Sequence, residues 1–381
     1  MTRATTRAET GAAARVDRAR VLAYRYAAHG LDARGRAETV LATGVQDYPP
    51  GRSASLSLRL RTGAPPDPSM VLVHSVRGTV HLHRADDLGR LAAALRIEDG
   101  RDLPQQSSGR FGAELADAGV SFGAALDEVA AAMRAAVADG SSPTKGELSG
   151  AVSPQVDRRL APWCGTCGAF HVQDELFRRA TLQAGLAVEI DAGAGGQLRY
   201  RPAGPVPPED PDAGRAEVVR RFLAAFGPAK PAQLAAWLGV APGAARRWWK
   251  LVEDEVRPVE VDGAEYWTHA EHVEALHTAP EPDGIRLLPP YDPLTELGDR
   301  QLMVPDPSRR KAVWRPAANP GVVLVDGEVA GVWRQRRGRD RLTLRVEVFD
   351  ALPARLREAA RADAATIADQ AGMDGADLDF T

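Results

Sequence analysis

Three groups of side chains have the types and spacing to do chemistry or to grip a charged partner. Gln46, Asp47 and Tyr48 set an amide, a carboxylate and an aromatic ring side by side, followed at once by Pro49-Pro50. As plain turn chemistry, Asp47 and the prolines reverse the chain and Gln46 lies on the surface. The segment APWCGTCGAFH offers Cys164, Cys167 and His171, three soft or borderline metal donors. A structural zinc site normally takes four ligands; no second cysteine pair exists, and the nearest further donor is Asp174. A redox pair would need a thioredoxin-like βαβ setting that the flanking sequence lacks. The expectation is a buried turn with two small apolar thiols, no bound metal and no cofactor. Between Gly331 and Arg345 come Arg334, Arg336, Arg337, Arg339, Arg341 and Arg345 against one acid, Asp340. Arginines on a two-stranded ribbon can reach phosphates on both sides of a groove. Alternatively, they protect an edge strand from aggregation.

The elements that must hold these groups are clearest in residues 215–268. Val219, Phe222, Leu223 and Phe226 share one helical face, and Gly227-Pro228 stops that helix. A short helix runs from Pro231 to Leu238 and ends at Gly239. A third opens near Pro242, burying Ala245, Trp248, Trp249 and Val252 and turning Arg246, Arg247 and Lys250 outward. Residues 259–261, the Asp262-Gly263 turn and EYWT then form a tight hairpin. This is the pattern of a helix-turn-helix with a wing, whose third helix usually enters the DNA major groove. The outward cations of that helix suit DNA contact, or simply the polar face of an amphipathic helix.

Upstream, the same pattern recurs twice in weaker form. The expected fold is α+β, with three tandem winged-helix units at 16–110, 111–204 and 213–277. A proline- and acid-rich linker, 202–212, separates the second and third. In 284–372, the runs IRLLPPYDPL, KAVWRP, GVVLVDGEVAGVWRQRR and RLTLRVEVF read as strands of a small antiparallel β-barrel or sheet, closed by a helix near 352–372, with the barrel as the expected form. Residues 1–15 read as a disordered lead, and the tail MDGADLDFT as loose.

A chain of 381 residues with no apolar run near the roughly 20 residues of a membrane span is expected to make no membrane contact. The first residues lack an apolar signal core, and two close cysteines fit a reducing compartment, so a cytoplasmic location is expected. The net charge of −3 and a pI near 6.3 argue against a uniformly basic DNA-coating protein, leaving local basic patches for any such contact.

Taken together, VLATGVQDYPPG, SVRGTVHLHRADDL, APWCGTCGAFH, RRFLAAFGPAKPAQLAAWLGV, IRLLPPYDPL and GVVLVDGEVAGVW resemble the AlkZ/YcaQ family of bacterial winged-helix DNA glycosylases, from about Val16 to Gly372. The resemblance implies three winged helices lining a concave surface, a C-terminal β-barrel, and metal-free excision of N7-alkylated purines or unhooking of crosslinks. The family's catalytic motif is Gln-hydrophobic-Gln or Gln-hydrophobic-Asp. Gln46 fits its first position, Asp47 occupies the hydrophobic middle, and Tyr48 replaces the final Gln or Asp. On this reading Gln46 holds a water, Asp47 steadies the developing sugar cation, and Tyr48 stacks or meets phosphate. The expected partner is double-stranded DNA, alkylated or not, bound by a monomer. Arg246, Arg247, Lys250, Arg334, Arg336, Arg337 and Arg339 are the expected DNA contacts. A non-catalytic DNA-binding regulator or lesion sensor is the alternative, and the slightly acidic pI favours a third option, a diverged member that recognises small molecules or proteins.

Overall fold

In the computed structural model, which describes residues 14–32, 36–104, 109–191, 196–204, 207–296 and 298–381, three helices followed by a two-stranded hairpin occur three times. The first set comprises strand β1 (Ala14–Val16), α1 (Arg18–Ala28), α2 (Glu38–Thr43), β2 (Val45–Gln46), α3 (Ser53–Thr62) and the hairpin β3 (Met70–His74) and β4 (Val80–Arg84). β2 joins that hairpin in the order β2-β4-β3, with Gln46 opposite His81. Helices α4 (Leu88–Ala94) and α5 (Gly109–Asp117) lead into the second set. It comprises α6 (Phe122–Ala136), α7 (Lys145–Val152), a small hairpin β5 (Trp163–Cys164) and β6 (Ala169–Phe170), α8 (Asp174–Gln183), then β7 (Leu186–Asp191) and β8 (Gln197–Pro202). The third has α9 (Pro211–Phe226), α10 (Pro231–Leu238), α11 (Pro242–Lys250), β9 (Val256–Val261), β10 (Ala264–His269) and α12 (Val273–Thr278).

Local sequence explains these boundaries. Thr144 and Glu147 close a reciprocal capping box on α7, and Asp210 caps α9 ahead of Pro211. Gly239 ends α10 in the left-handed conformation. Asp262 and Gly263 both take positive φ (47° and 81°), the primed turn that matches strand twist. The apolar face read from 219–226 is buried throughout, as are Ala245, Trp248, Trp249 and Val252.

The C-terminal part holds β11 (Ile285–Leu288), α13 (Arg300–Met303), α14 (Pro307–Val313), β12 (Gly321–Val325), β13 (Glu328–Arg337), β14 (Arg341–Val348), α15 (Ala354–Gln370) and β15 (Gly375–Phe380). Its five strands run β11-β12-β13-β14-β15, with α15 packed on one face through Leu356, Ala360, Ala364 and Ile367. Because β11 and β15 do not pair, the sheet stays open, a half-barrel where a closed barrel was expected. β15 is also parallel to β14, so the sheet is mixed, and the tail expected to be loose is an edge strand. Its alternating Ala376, Leu378 and Phe380 pack on the core of that sheet. KAVWRP, expected as a strand, instead falls at the end of α14, which Asp306 and Pro307 start. Of the lead expected to be disordered, Ala14 and Arg15 pair with Val259 and Glu260, and residues 1–13 lie outside the described residues.

The three sets interlock. One core runs continuously from β3 through α6, α8 and the β7–β8 hairpin to α9, α10 and α11. From the first set, α1 packs on α9 and α12, while Leu56 and Leu60 of α3 enter the core under the C-terminal sheet. Two arginines then clamp the segment after β11. Arg61 of α3 pairs with Asp292, both fully buried, and Arg25 of α1 pairs with Asp299 at 2.7 Å. These clamps hold Asp292 and Asp299 against the first set.

Candidate active site

Gln46 ends the short strand β2, whose pairing to β4 fixes which way its side chain leaves the sheet. Its amide oxygen accepts a hydrogen bond from Arg77 Nη2 at 2.9 Å, and the same nitrogen lies 3.0 Å from Glu296 Oε2. Arg77 also donates through Nη1 to the Trp237 carbonyl of α10 at 2.7 Å. One guanidinium therefore ties the first set, the third set and Glu296 to a single point. Glu296 is nearly inaccessible, and burial pushes its carboxyl above the usual range even though Arg77 pulls the other way. Its second oxygen, Oε1, is buried with no hydrogen-bond partner among the described residues.

Tyr48 lies two residues beyond Gln46, past the end of β2. Half-exposed, it meets Tyr291 edge-on with ring centroids 5.0 Å apart. Asp47 has local partners instead. It is buried, and its carboxylate accepts from the backbone N–H groups of Gly51, Arg52 and Ala54. Burial raises its carboxyl, and those N–H groups offset this only in part. The residue expected to steady a sugar cation thus closes its own turn and serves the first turn of α3. The structure brings Gln46 together with Arg77 and Glu296, sets Tyr48 against Tyr291, and ties Asp47 into its own turn.

Backbone strain collects around this point. Positive φ at residues other than glycine occurs at Arg77 (58°), Asp262, Tyr291 (61°), Ala318 (53°) and Asp326 among the described residues. Asp262 and Asp326 are hairpin-turn positions. Arg77 and Tyr291 are site residues, and Ala318 lies in the loop that faces Tyr291 through Asn319. Such conformations cost about 1–3 kcal/mol each and persist where surrounding structure enforces them. Neither Arg77 nor Glu296 stood out in the sequence. The only local signal was the Arg77-Gly78 turn, which says nothing about where the guanidinium ends.

A sequence profile of the DNA glycosylase AlkZ-like family matches residues 40–370. The chain belongs to that family. It is 35% identical over 130 residues to an interstrand DNA cross-link repair glycosylase of Streptomyces sahachiroi, a stretch covering 32% of this chain and 35% of that protein. The chain thus spans about a third of the length of this curated relative. The solved structure of the S. sahachiroi DNA glycosylase AlkZ superposes with a TM-score of 0.71 at 23% identity, covering 96% of this chain and 100% of the other. At that identity the likeness speaks for the fold.

Two surfaces of this AlkZ-like chain are rich in basic side chains. Arg334, Arg336, Arg337 and Arg339 are exposed, and none makes an ion pair among the described residues. Arg334 stands directly opposite Arg345 in the β13–β14 register, a like-charge pair that costs energy until an anion joins it. Desolvation, and then the nearby charge of Arg315, hold the Arg334 guanidinium below its usual range. The second surface was not foreseen. A cleft of about 960 Å³ between α10, β10 and the 298–314 segment is lined by Lys230, Arg300, Arg310 and Lys311, with Tyr266 and Trp314 in its walls. On α11, Arg246 and Lys250 are exposed, while Arg247 is held by both oxygens of Asp102 at 2.6 Å. No helix of the described residues is long and apolar enough to cross a membrane.

Proposed function

We propose that this AlkZ-like chain is a DNA glycosylase that acts on duplex DNA and hydrolyses the N-glycosidic bond of N7-alkylated purines, as a monomer in the bacterial cytoplasm. Each helix-helix-helix-hairpin set acts as a winged helix, and Arg246, Lys250 and the arginines of β13 track the phosphates. Interstrand crosslinks, named for the S. sahachiroi relative, are a second substrate class for the same chemistry.

The observation that carries this reading is that Gln46 and Glu296 share one nitrogen of Arg77. An N7-alkylpurine is cationic and leaves with little acid help, so the enzyme must supply a positioned water and negative charge near an oxocarbenium-like sugar. With its oxygen taken by Arg77, the Gln46 amide keeps Nε2 free to hold the water. Glu296, incompletely compensated in a low-dielectric setting, supplies the negative charge that Asp47 was expected to supply. Tyr48 and Tyr291 offer ring faces to an opened base step.

The test is incubation with duplex containing N7-methylguanine, followed by assay for free base and abasic sites. Base release is expected. A second reading, binding without catalysis, draws on Tyr48 at the third motif position and on the capping use of Asp47. Tight duplex binding with no base release across several N7-alkyl lesions would select it.

A further inference from the structure

The β5–β6 hairpin carries side chains that the glycosylase reading leaves unused, and we propose that Cys164, Cys167 and His171 bind one zinc ion, with water completing a tetrahedral site. The thiols and the imidazole each offer a donor atom, and all three lie within 4.8 Å of one another. With Zn–S near 2.3 Å and Zn–N near 2.0–2.1 Å, a tetrahedral ion requires donors about 3.5–3.8 Å apart. Closing the remaining gap takes at most about 1.0–1.3 Å of side-chain movement, and Cys167 is exposed and free to make it.

The backbone is shaped for the ion. Cys164-Gly165-Thr166-Cys167-Gly168 folds so that the Gly168 N–H donates to the Cys164 carbonyl at 2.9 Å, with Gly168 at φ 62°. Gly168 needs that conformation, and a side chain there would be strained. Neither cysteine sits in the apolar burial expected of inert thiols.

His171 is the strongest pointer. Its Nδ1 lies 2.8 Å from the Val172 carbonyl, which can only accept, so Nδ1 carries a proton, and the neutral ring presents the Nε2 lone pair to a metal. Nε2 is buried and meets no hydrogen-bond partner among the described residues, with the sulfur atoms of Cys164 and Cys167 within 4.8 Å of the ring's donor atom. Metal-bound histidines show this same arrangement, the outer nitrogen tied to a carbonyl and the inner one aimed at the ion. Asp174 is no fourth ligand, because it pairs with Lys145 and Arg178. The fourth position opens instead onto a cleft of about 1060 Å³. On binding, the two thiols release their protons to solvent and no redox change occurs. The ion would brace a hairpin that presents Trp163 and Phe170, both about half exposed, to solvent.

The test uses the full chain, reduced and treated with chelator, then titrated with cobalt(II) as a spectroscopic stand-in for zinc. Expected are intense visible d–d bands and thiolate charge-transfer absorption that saturate at one equivalent. Zinc should displace the cobalt, and the melting temperature should rise on zinc addition. Cys167→Ser, at an exposed position, should fold as wild type and lose the charge-transfer band and tight binding. His171→Ala should shift the d–d spectrum. Weak octahedral cobalt binding that is unchanged in Cys167→Ser would overturn the site. So would a Cys164–Cys167 disulfide that forms in preference to zinc binding in zinc-containing buffer.

Discussion

Arg61 and Asp292 meet through two parallel hydrogen bonds of 2.8 Å, with both side chains fully buried. Ser57 donates a third bond to the carboxylate at 2.7 Å, and Arg61 Nε donates to the His29 carbonyl at 2.7 Å. Burial raises the Asp292 carboxyl, but Arg61 and Ser57 together outweigh it and hold the group below its usual range. Arg61→Met should therefore cost about 3–5 kcal/mol, since it strands a buried charge. Replacing both partners with apolar residues should cost much less. Denaturant midpoints of the single and double variants check this, and equal losses would mean that the charge is not stranded.

Glu296→Gln and Gln46→Ala should each slow base release without a matching loss of DNA affinity. For Glu296→Gln the expected fall is about 10²–10³-fold, the size of losing one electrostatic stabiliser. Single-turnover excision read beside duplex binding tests this; wild-type excision by Glu296→Gln would remove the carboxylate from the chemistry.

Asp47→Asn should behave differently. The amide oxygen can still accept from the turn, but more weakly, so a stability loss of about 0.5–2 kcal/mol is expected with excision largely retained. Loss of excision at unchanged melting temperature would restore Asp47 to the reaction.

Changing Arg334, Arg336, Arg337 and Arg339 together to Ala should weaken duplex binding and flatten its salt dependence. Each lost phosphate contact should reduce the slope by about 0.9 log unit per log unit of salt. A titration with unchanged affinity and slope would take this hairpin out of the interface.

The protein should lose stability in mild acid. Burial keeps His29 and His74 neutral down to about 3 and His83 to about 4, and holds His81 well below its ordinary value. In the unfolded chain all four take up protons below about 6.5. Their contribution is thus fully present above that pH and declines as pH falls towards 4. Each histidine adds a slope of up to about 1.4 kcal/mol per pH unit. Thermal melts between about pH 7.5 and 5 should show the decline, and a flat profile would mean that these rings are protonated in the fold.

The helices and their buried faces were legible because their information is local. The spacing of Val219, Phe222, Leu223 and Phe226, the glycine after Leu238 and the Asp262-Gly263 turn specify structure within a few residues of themselves. The arginine-rich strands and the family were equally legible, since both rest on residue types in order. Of the proposed site, the sequence singled out Gln46 and Tyr48 but neither Arg77 nor Glu296. Which carboxylate stands beside Gln46 depends on a contact across more than two hundred residues, made when Arg25 and Arg61 clamp Asp299 and Asp292 onto the first helices. Periodicity cannot encode such a meeting; only the packed core brings Glu296 there. The same reason explains β15, whose short alternating run becomes a strand once β14 offers it an edge. The Cys164–His171 cluster falls between the two cases. Its donors are visible in sequence, but the count of three argued against a metal. Only the fold frees the His171 Nε2 and opens a position for water.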